Sequence, residues 1–219
     1  MEQNTLHGAI LDLDGTLLDS MGVWSEIDRE LLKSHGIEPP EDISNIVKKM
    51  TIEESSQYFI DRFGLPLTVQ EIADIVESMA AEQYRYKLQL KEGVLEFLDG
   101  LDRMGIKYGI ATATYPDLAR AAIDRLGLSS RIQFLVTEAE FGSGKKEPYI
   151  YYECAKRLSL GKRQIIVAED ALHSIMTAKK AGFFTAGVFD RATPTEEWQQ
   201  ICALATVTVK KISDLLRLI

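Results

Sequence analysis

The first apolar block of the chain is Ala9-Ile10-Leu11, and it closes on Asp12-Leu13-Asp14-Gly15-Thr16, where polar residues alternate with the last leucine. Such a run predicts a buried strand. Side chains along a strand leave on alternate faces, so Asp12 and Asp14 are expected on one side of it. Helical spacing takes over next. Val23, Trp24, Ile27, Leu31 and Leu32 predict a helix over 21–35 that stops at Gly36. Pro39-Pro40 marks a turn before a short helical piece at 42–49. Thr51-Ile52-Glu53-Glu54 and Thr68-Val69-Gln70-Glu71 both carry a threonine three residues ahead of a glutamate. That is the signature of a capping box, and it opens one helix toward Phe63-Gly64 and another toward Lys87. Residues 17–88 therefore read as an all-helical bundle inserted after the first strand.

From Glu92 the rhythm changes. Helices are predicted at 93–105, 116–126, 148–159 and 172–181, alternating with strands at 108–112, 133–137, 164–168 and 185–189. A helix from Glu196, a short strand at 207–209 and a Leu-rich turn end the chain. Alternation of this kind predicts an α/β fold: a Rossmann-like parallel sheet with helices on both faces, plus the inserted helical-bundle cap. The core domain is expected at 1–16 and 89–219 and the cap domain at 17–88. Ligands in such a sheet sit outside the carboxyl ends of the strands.

Composition narrows the partners. A formal net charge of -8 over 219 residues argues against nucleic acid or an anionic membrane. It leaves a small phosphorylated substrate open, since a local cation inverts the field of a site. The two cysteines, Cys154 and Cys202, imply no disulfide framework. No basic segment with an apolar core opens the chain, so a cytoplasmic protein is the expectation; a monomer is the default, on no sequence signal.

At the strand ends stand Asp12 and Asp14, then Thr112, then Glu169 and Asp170, with Lys145 in the loop before the helix at 148. Oxygen ligands without a His or Cys cluster suit Mg²⁺ rather than zinc. A hard cation, a lysine and a hydroxyl are what a transferring phosphoryl group requires. Each residue also has a plainer reading. Asp-x-Asp-Gly fits a turn cap, Thr112 a β-branched strand residue, Lys145-Lys146-Glu147 a solvated charge run, and Glu169-Asp170 the acids of a helix N-terminus.

Taken in order, Asp12-Leu13-Asp14-Gly15-Thr16, Thr112, Gly144-Lys145 with Pro148, and Glu169-Asp170 followed by Ile175 and Ala181-Gly182 resemble the four motifs of the haloacid dehalogenase superfamily. The helical insert is similar to that family's cap. The resemblance implies a Mg²⁺-dependent phosphatase of a small phosphomonoester: a sugar or polyol phosphate, phosphoglycolate or a nucleotide. It implies Asp12 as nucleophile and Asp14 as general acid and base, the latter also binding the metal through its main-chain carbonyl. Thr112, Ala113 and Lys145 would bind the phosphoryl group, and Asp170 and Glu169 would complete the metal site. Lys146 stands where relatives often have proline, while Pro148 keeps the register on Lys145. Ala171 and Ser174 depart from the Ser and Gly usual after motif four.

Relatives that cleave carbon–halogen or phosphonate bonds lack the second aspartate, so Asp14 favours phosphate esters. The closest rival is a β-phosphoglucomutase-like sugar-phosphate mutase. Mutases carry a cap histidine and a cap arginine where this chain has Trp24 and Ile52, neither of which can offer a positive charge to an anion. A catalytically silent binding protein is the third reading. Substrate contacts are expected from Lys48-Lys49-Met50-Thr51 and from the segment after Asp19. Arg120, Arg125 and His173 read as exposed helix residues, and Tyr149, Tyr151 and Tyr152 as helix packing, with one of the three a candidate to line the mouth of the site.

Overall fold

The computed structural model describes residues 6–47, 50–141 and 145–219. Two compact units make up the chain: Met1–Asp19 with Leu88–Ile219, and Ser20–Lys87. Among its described residues the first unit holds six strands, β1 (Gly8–Leu11), β2 (Lys107–Thr112), β3 (Leu135–Thr137), β4 (Ile165–Glu169), β5 (Phe184–Val188) and β6 (Val207–Val209). They form one sheet in the order β3-β2-β1-β4-β5-β6, parallel throughout. Strand order reverses at β1, which pairs with β2 on one side and β4 on the other. A crevice opens at such a reversal, beyond the carboxyl ends of the strands.

Among the described residues five α-helices belong to this unit: α5 (Val94–Met104), α6 (Pro116–Arg125), α7 (Tyr149–Leu158), α8 (Leu172–Ala181) and α9 (Thr195–Leu204), numbered after the four of the second unit. One face of the sheet gives Ile10, Ala111, Val136 and Val167 to a core shared with Ile150, Tyr151, Cys154 and Leu158 of α7 and Ala178 of α8. Ala9, Leu11, Ile110 and Ala168, which alternate with those strand residues, are buried as well. Burial on both faces is why these strands read as continuous apolar runs rather than as alternating ones.

Strand β1 is shorter than the pattern predicts. Its ladder gains one more rung, Asp12 N–H to Ala168 C=O at 3.0 Å, and then a turn takes over. The Leu13 carbonyl accepts from Leu17 and Leu18 N–H at 2.9 and 2.7 Å, and Gly15 turns the chain at φ 80°. Asp12 and Asp14 thus lie in this turn, and strand alternation is not what places them. Gly15 is suited to the turn because positive φ carries no Cβ penalty there. The third strand also begins later than expected, at Leu135, although Gln133 N–H still donates to Tyr108 C=O at 2.8 Å.

The second unit is helical: α1 (Met21–Ser34), α2 (Ile43–Val47), α3 (Ile52–Phe63) and α4 (Val69–Glu82). Both capping boxes form. Thr51 Oγ accepts from Glu54 N–H at 3.1 Å and Thr68 Oγ from Glu71 N–H at 3.2 Å, with each glutamate reaching back to its threonine N–H. Helix α4 does not run to Lys87 as an α-helix; Gln83–Lys87 widens into a π turn. That widening leaves Tyr84 fully buried, with its ring 6.2 Å from half-buried Trp24, and Tyr86 exposed. Among the described residues no helix is long and apolar enough to cross a membrane.

Candidate active site

Asp12 leaves the end of β1, and Glu169 and Asp170 leave the neighbouring end of β4, so the strand reversal brings three acids together. Their carboxylate oxygens lie within 4.8 Å of one another, and all three residues are buried. Lys145 enters from the loop before α7. Its ammonium donates to Asp12 Oδ1 and, at 2.6 Å, to Glu169 Oε1, and it is only 4 % exposed. Lys146 is exposed. Glu138 fixes the backbone of Lys145 by accepting its N–H.

Burial and the charge of Glu169 push the Asp12 carboxyl well above the ordinary carboxylate range, against the pull of Lys145. For Lys145 the balance runs the other way. Burial disfavours the ammonium, but Asp12 and Glu169 override it and hold its pKa well above that of a free lysine. Three carboxylates facing one ammonium leave an excess of buried negative charge, which a fold tolerates only with a further cation or a proton. The donors are all carboxylate oxygens, the set that suits a hard divalent cation. The buried acids therefore fit a metal such as Mg²⁺.

Thr112 closes β2 and is 1 % exposed; its Oγ accepts from Thr114 N–H at 3.0 Å. Ala113 sits exposed at the bend between them. Thr114 Oγ in turn donates to Asp14 Oδ2. The carboxylate of Asp14 is thus engaged on the β2 side and is not one of the three clustered acids. The turn after Asp14 is fastened by Lys91, whose ammonium donates to Gly15 C=O at 2.5 Å, Phe189 C=O at 2.9 Å and Asp190 Oδ2 at 2.7 Å.

Several of these partners escape sequence reasoning. Tyr151 is fully buried and its hydroxyl lies 3.4 Å from Glu169 Oε1, with a further hydrogen bond to Ser174. Burial beside Glu169 holds its phenol well above the usual value, so it faces the acid as a neutral donor. Its neighbours Tyr149 and Tyr152 are exposed, and the helical period of α7 is the signal that separates them. Arg125, expected on the surface, is half-buried and donates to Leu88 C=O. His173 is exposed, as expected. Gly144 of the lysine motif and Lys48-Lys49, expected near substrate, lie outside the described residues.

The family model for haloacid dehalogenase-like hydrolases matches residues 9–188. Over 208 residues the chain is 28% identical to the validoxylamine A 7'-phosphate phosphatase of Streptomyces hygroscopicus subsp. limoneus, covering 94% of each protein. It is 29% identical over 186 residues to the phosphorylated carbohydrates phosphatase of Thermotoga maritima, covering 81% of this chain and 82% of that one. The solved structure of β-phosphoglucomutase from Clostridium difficile superposes with a TM-score of 0.73 at 20% identity, over 96% of this chain and 93% of that one. At that identity the likeness is one of fold.

Proposed function

Because the chain belongs to the haloacid dehalogenase-like hydrolases and is a phosphomonoester hydrolase of that family, we propose that it hydrolyses a small sugar or polyol phosphate through an aspartyl-phosphate intermediate, with Mg²⁺ held by Asp12, Glu169 and Asp170. The observation that carries this reading is the buried cluster of Asp12, Glu169 and Asp170 with Lys145 inside it. The names of two relatives, both phosphatases and one of phosphorylated carbohydrates, support the substrate class. Trp24 and Ile52, neither of which carries a positive charge for a second phosphate, favour hydrolysis over phosphoryl return.

Each side chain then has a task. Asp12 Oδ attacks phosphorus and forms the new P–O bond. As the ester P–O bond breaks, Asp14 gives its proton to the departing oxygen, which leaves as the alcohol. Water then attacks the aspartyl-phosphate; Asp14 takes its proton, and inorganic phosphate and free Asp12 result. Lys145 pulls Asp12 toward its ionised form, a pull that a bound cation would complete, and neutralises phosphoryl charge. Thr112 donates a hydrogen bond to a phosphoryl oxygen, as its hydroxyl already accepts from Thr114 N–H and has its own proton to give. Ala113 at the bend presents main chain to the same group. A bound Mg²⁺ would supply charge neutralisation for the phosphoryl oxygens.

The test is phosphate release from a panel of sugar, polyol and aryl phosphates, with Mg²⁺ or with EDTA, beside Asp12→Asn. Release that needs Mg²⁺ and disappears in the variant is expected. Full turnover by Asp12→Asn overturns the nucleophile. Interconversion of hexose phosphates primed by a bisphosphate, without net release, makes the protein a mutase. Silence in both assays leaves a binding protein.

A further inference from the structure

Asp14 lies beyond β1 in a turn, on a backbone that changes direction at Gly15, and its side chain is half-buried. Nothing in the strand ladder fixes where its carboxyl points. A residue that reaches it comes from a position 100 residues away: Thr114, whose hydroxyl donates to Asp14 Oδ2. Thr114 is itself held. Its side chain is buried and its N–H is committed to Thr112 Oγ at 3.0 Å. One residue therefore links the hydroxyl assigned to the phosphoryl group with the carboxyl assigned to proton transfer.

A threonine hydroxyl has a single proton. Spent on Asp14 Oδ2, it fixes the rotation of the carboxyl and directs the acid's proton to the other oxygen. General acid catalysis depends on that placement, because the proton must lie within hydrogen-bond reach of the departing oxygen. Resting on the reading of Asp14 above, we propose that Thr114 is the positioning residue of the general acid, and that it acts through Asp14 without touching the phosphoryl group.

This role has a signature that a merely structural one lacks. A sugar phosphate loses a basic alkoxide and depends on protonation; p-nitrophenyl phosphate loses a stable anion and hardly does. kcat/KM covers the steps up to that departure and is blind to the later hydrolysis of the aspartyl-phosphate. In Thr114→Val, which keeps the shape and removes the hydroxyl, the ratio of kcat/KM for p-nitrophenyl phosphate to kcat/KM for the best sugar phosphate is expected to rise about tenfold or more, within the range of a general acid's contribution. Thr114→Ser, which keeps the hydroxyl, is expected to restore the wild-type ratio. Thr114→Ala supplies the same comparison should the valine variant misfold.

An unchanged ratio in Thr114→Val or Thr114→Ala overturns the proposal, as does a serine variant that behaves like valine. A wild-type protein that releases phosphate from neither ester overturns the phosphatase reading instead, so the two failures are told apart.

Discussion

Burial of Asp28 on α1 raises its carboxyl to about 7. The folded chain therefore holds this proton more tightly than the unfolded chain, whose carboxyl keeps its ordinary value near 3.8. Stability from this group is full below that ordinary value and is lost as pH rises to about 7. The shift sets an upper limit of roughly 4 kcal/mol, which partial solvent access reduces. Asp28→Asn is thus expected to gain on the wild type between pH 4 and 7 and to hold a constant lead of about 1–3 kcal/mol above that. Urea unfolding of both proteins across that range checks it, and a lead independent of pH counts against the burial account. No sequence signal marks Asp28, since its position in a helix repeat reads as an ordinary polar site. Asp12, Lys145, Glu169 and Asp170 are legible because their order along the chain and the rule of strand ends act together. Thr114, Glu138 and Tyr151 are not, because each acts through a contact whose partner is 7 or more residues away and carries no motif of its own.

Elements are legible to the extent that their ends are chemically marked. The two capping boxes show this: Thr51 with Glu54, and Thr68 with Glu71, are readable as letters and form as hydrogen bonds. Each threonine satisfies an N–H that the helix cannot. Thr51→Ala and Thr68→Ala are each expected to destabilise the helical unit by about 1 kcal/mol. The two helix starts have separate partners, so the double variant should lose the sum. Thermal or urea unfolding measures it; a silent double variant would mean that packing alone starts these helices. Unmarked ends are misread. Strand β1 stops at Leu11 because the carbonyl of Leu13 turns inward to Leu17 and Leu18. The π turn at Gln83–Lys87 goes with a fully buried Tyr84, and neither event has a residue code.

At the scale of the whole molecule, a net charge of -8 and a buried acid cluster raise one question: what balances the site. The strand order answers half of it, since the reversal at β1 forces Asp12 against Glu169 and Asp170, and Lys145 offsets only part of their charge. Without a cation, the raised pKa of Asp12 means that the fold takes up a proton there more readily than the unfolded chain does. The cation-free protein therefore loses stability from this site as pH rises from the ordinary carboxylate range through the raised value. A divalent cation must displace that proton to bind, so its affinity rises over the same interval. Saturating Mg²⁺ at about 100 times its dissociation constant should stabilise the fold by about 2.7 kcal/mol at pH 8. That gain should shrink steadily as pH falls toward the ordinary carboxylate value. Asp12→Asn removes the proton competition, and its Mg²⁺ gain should be smaller and nearly flat with pH. Melting temperatures of both proteins, with Mg²⁺ and with EDTA from pH 5 to 8, decide the matter without any substrate. A Mg²⁺ gain that ignores pH in the wild type would place the cation away from Asp12. The sheet would then have gathered its acids around Lys145 alone.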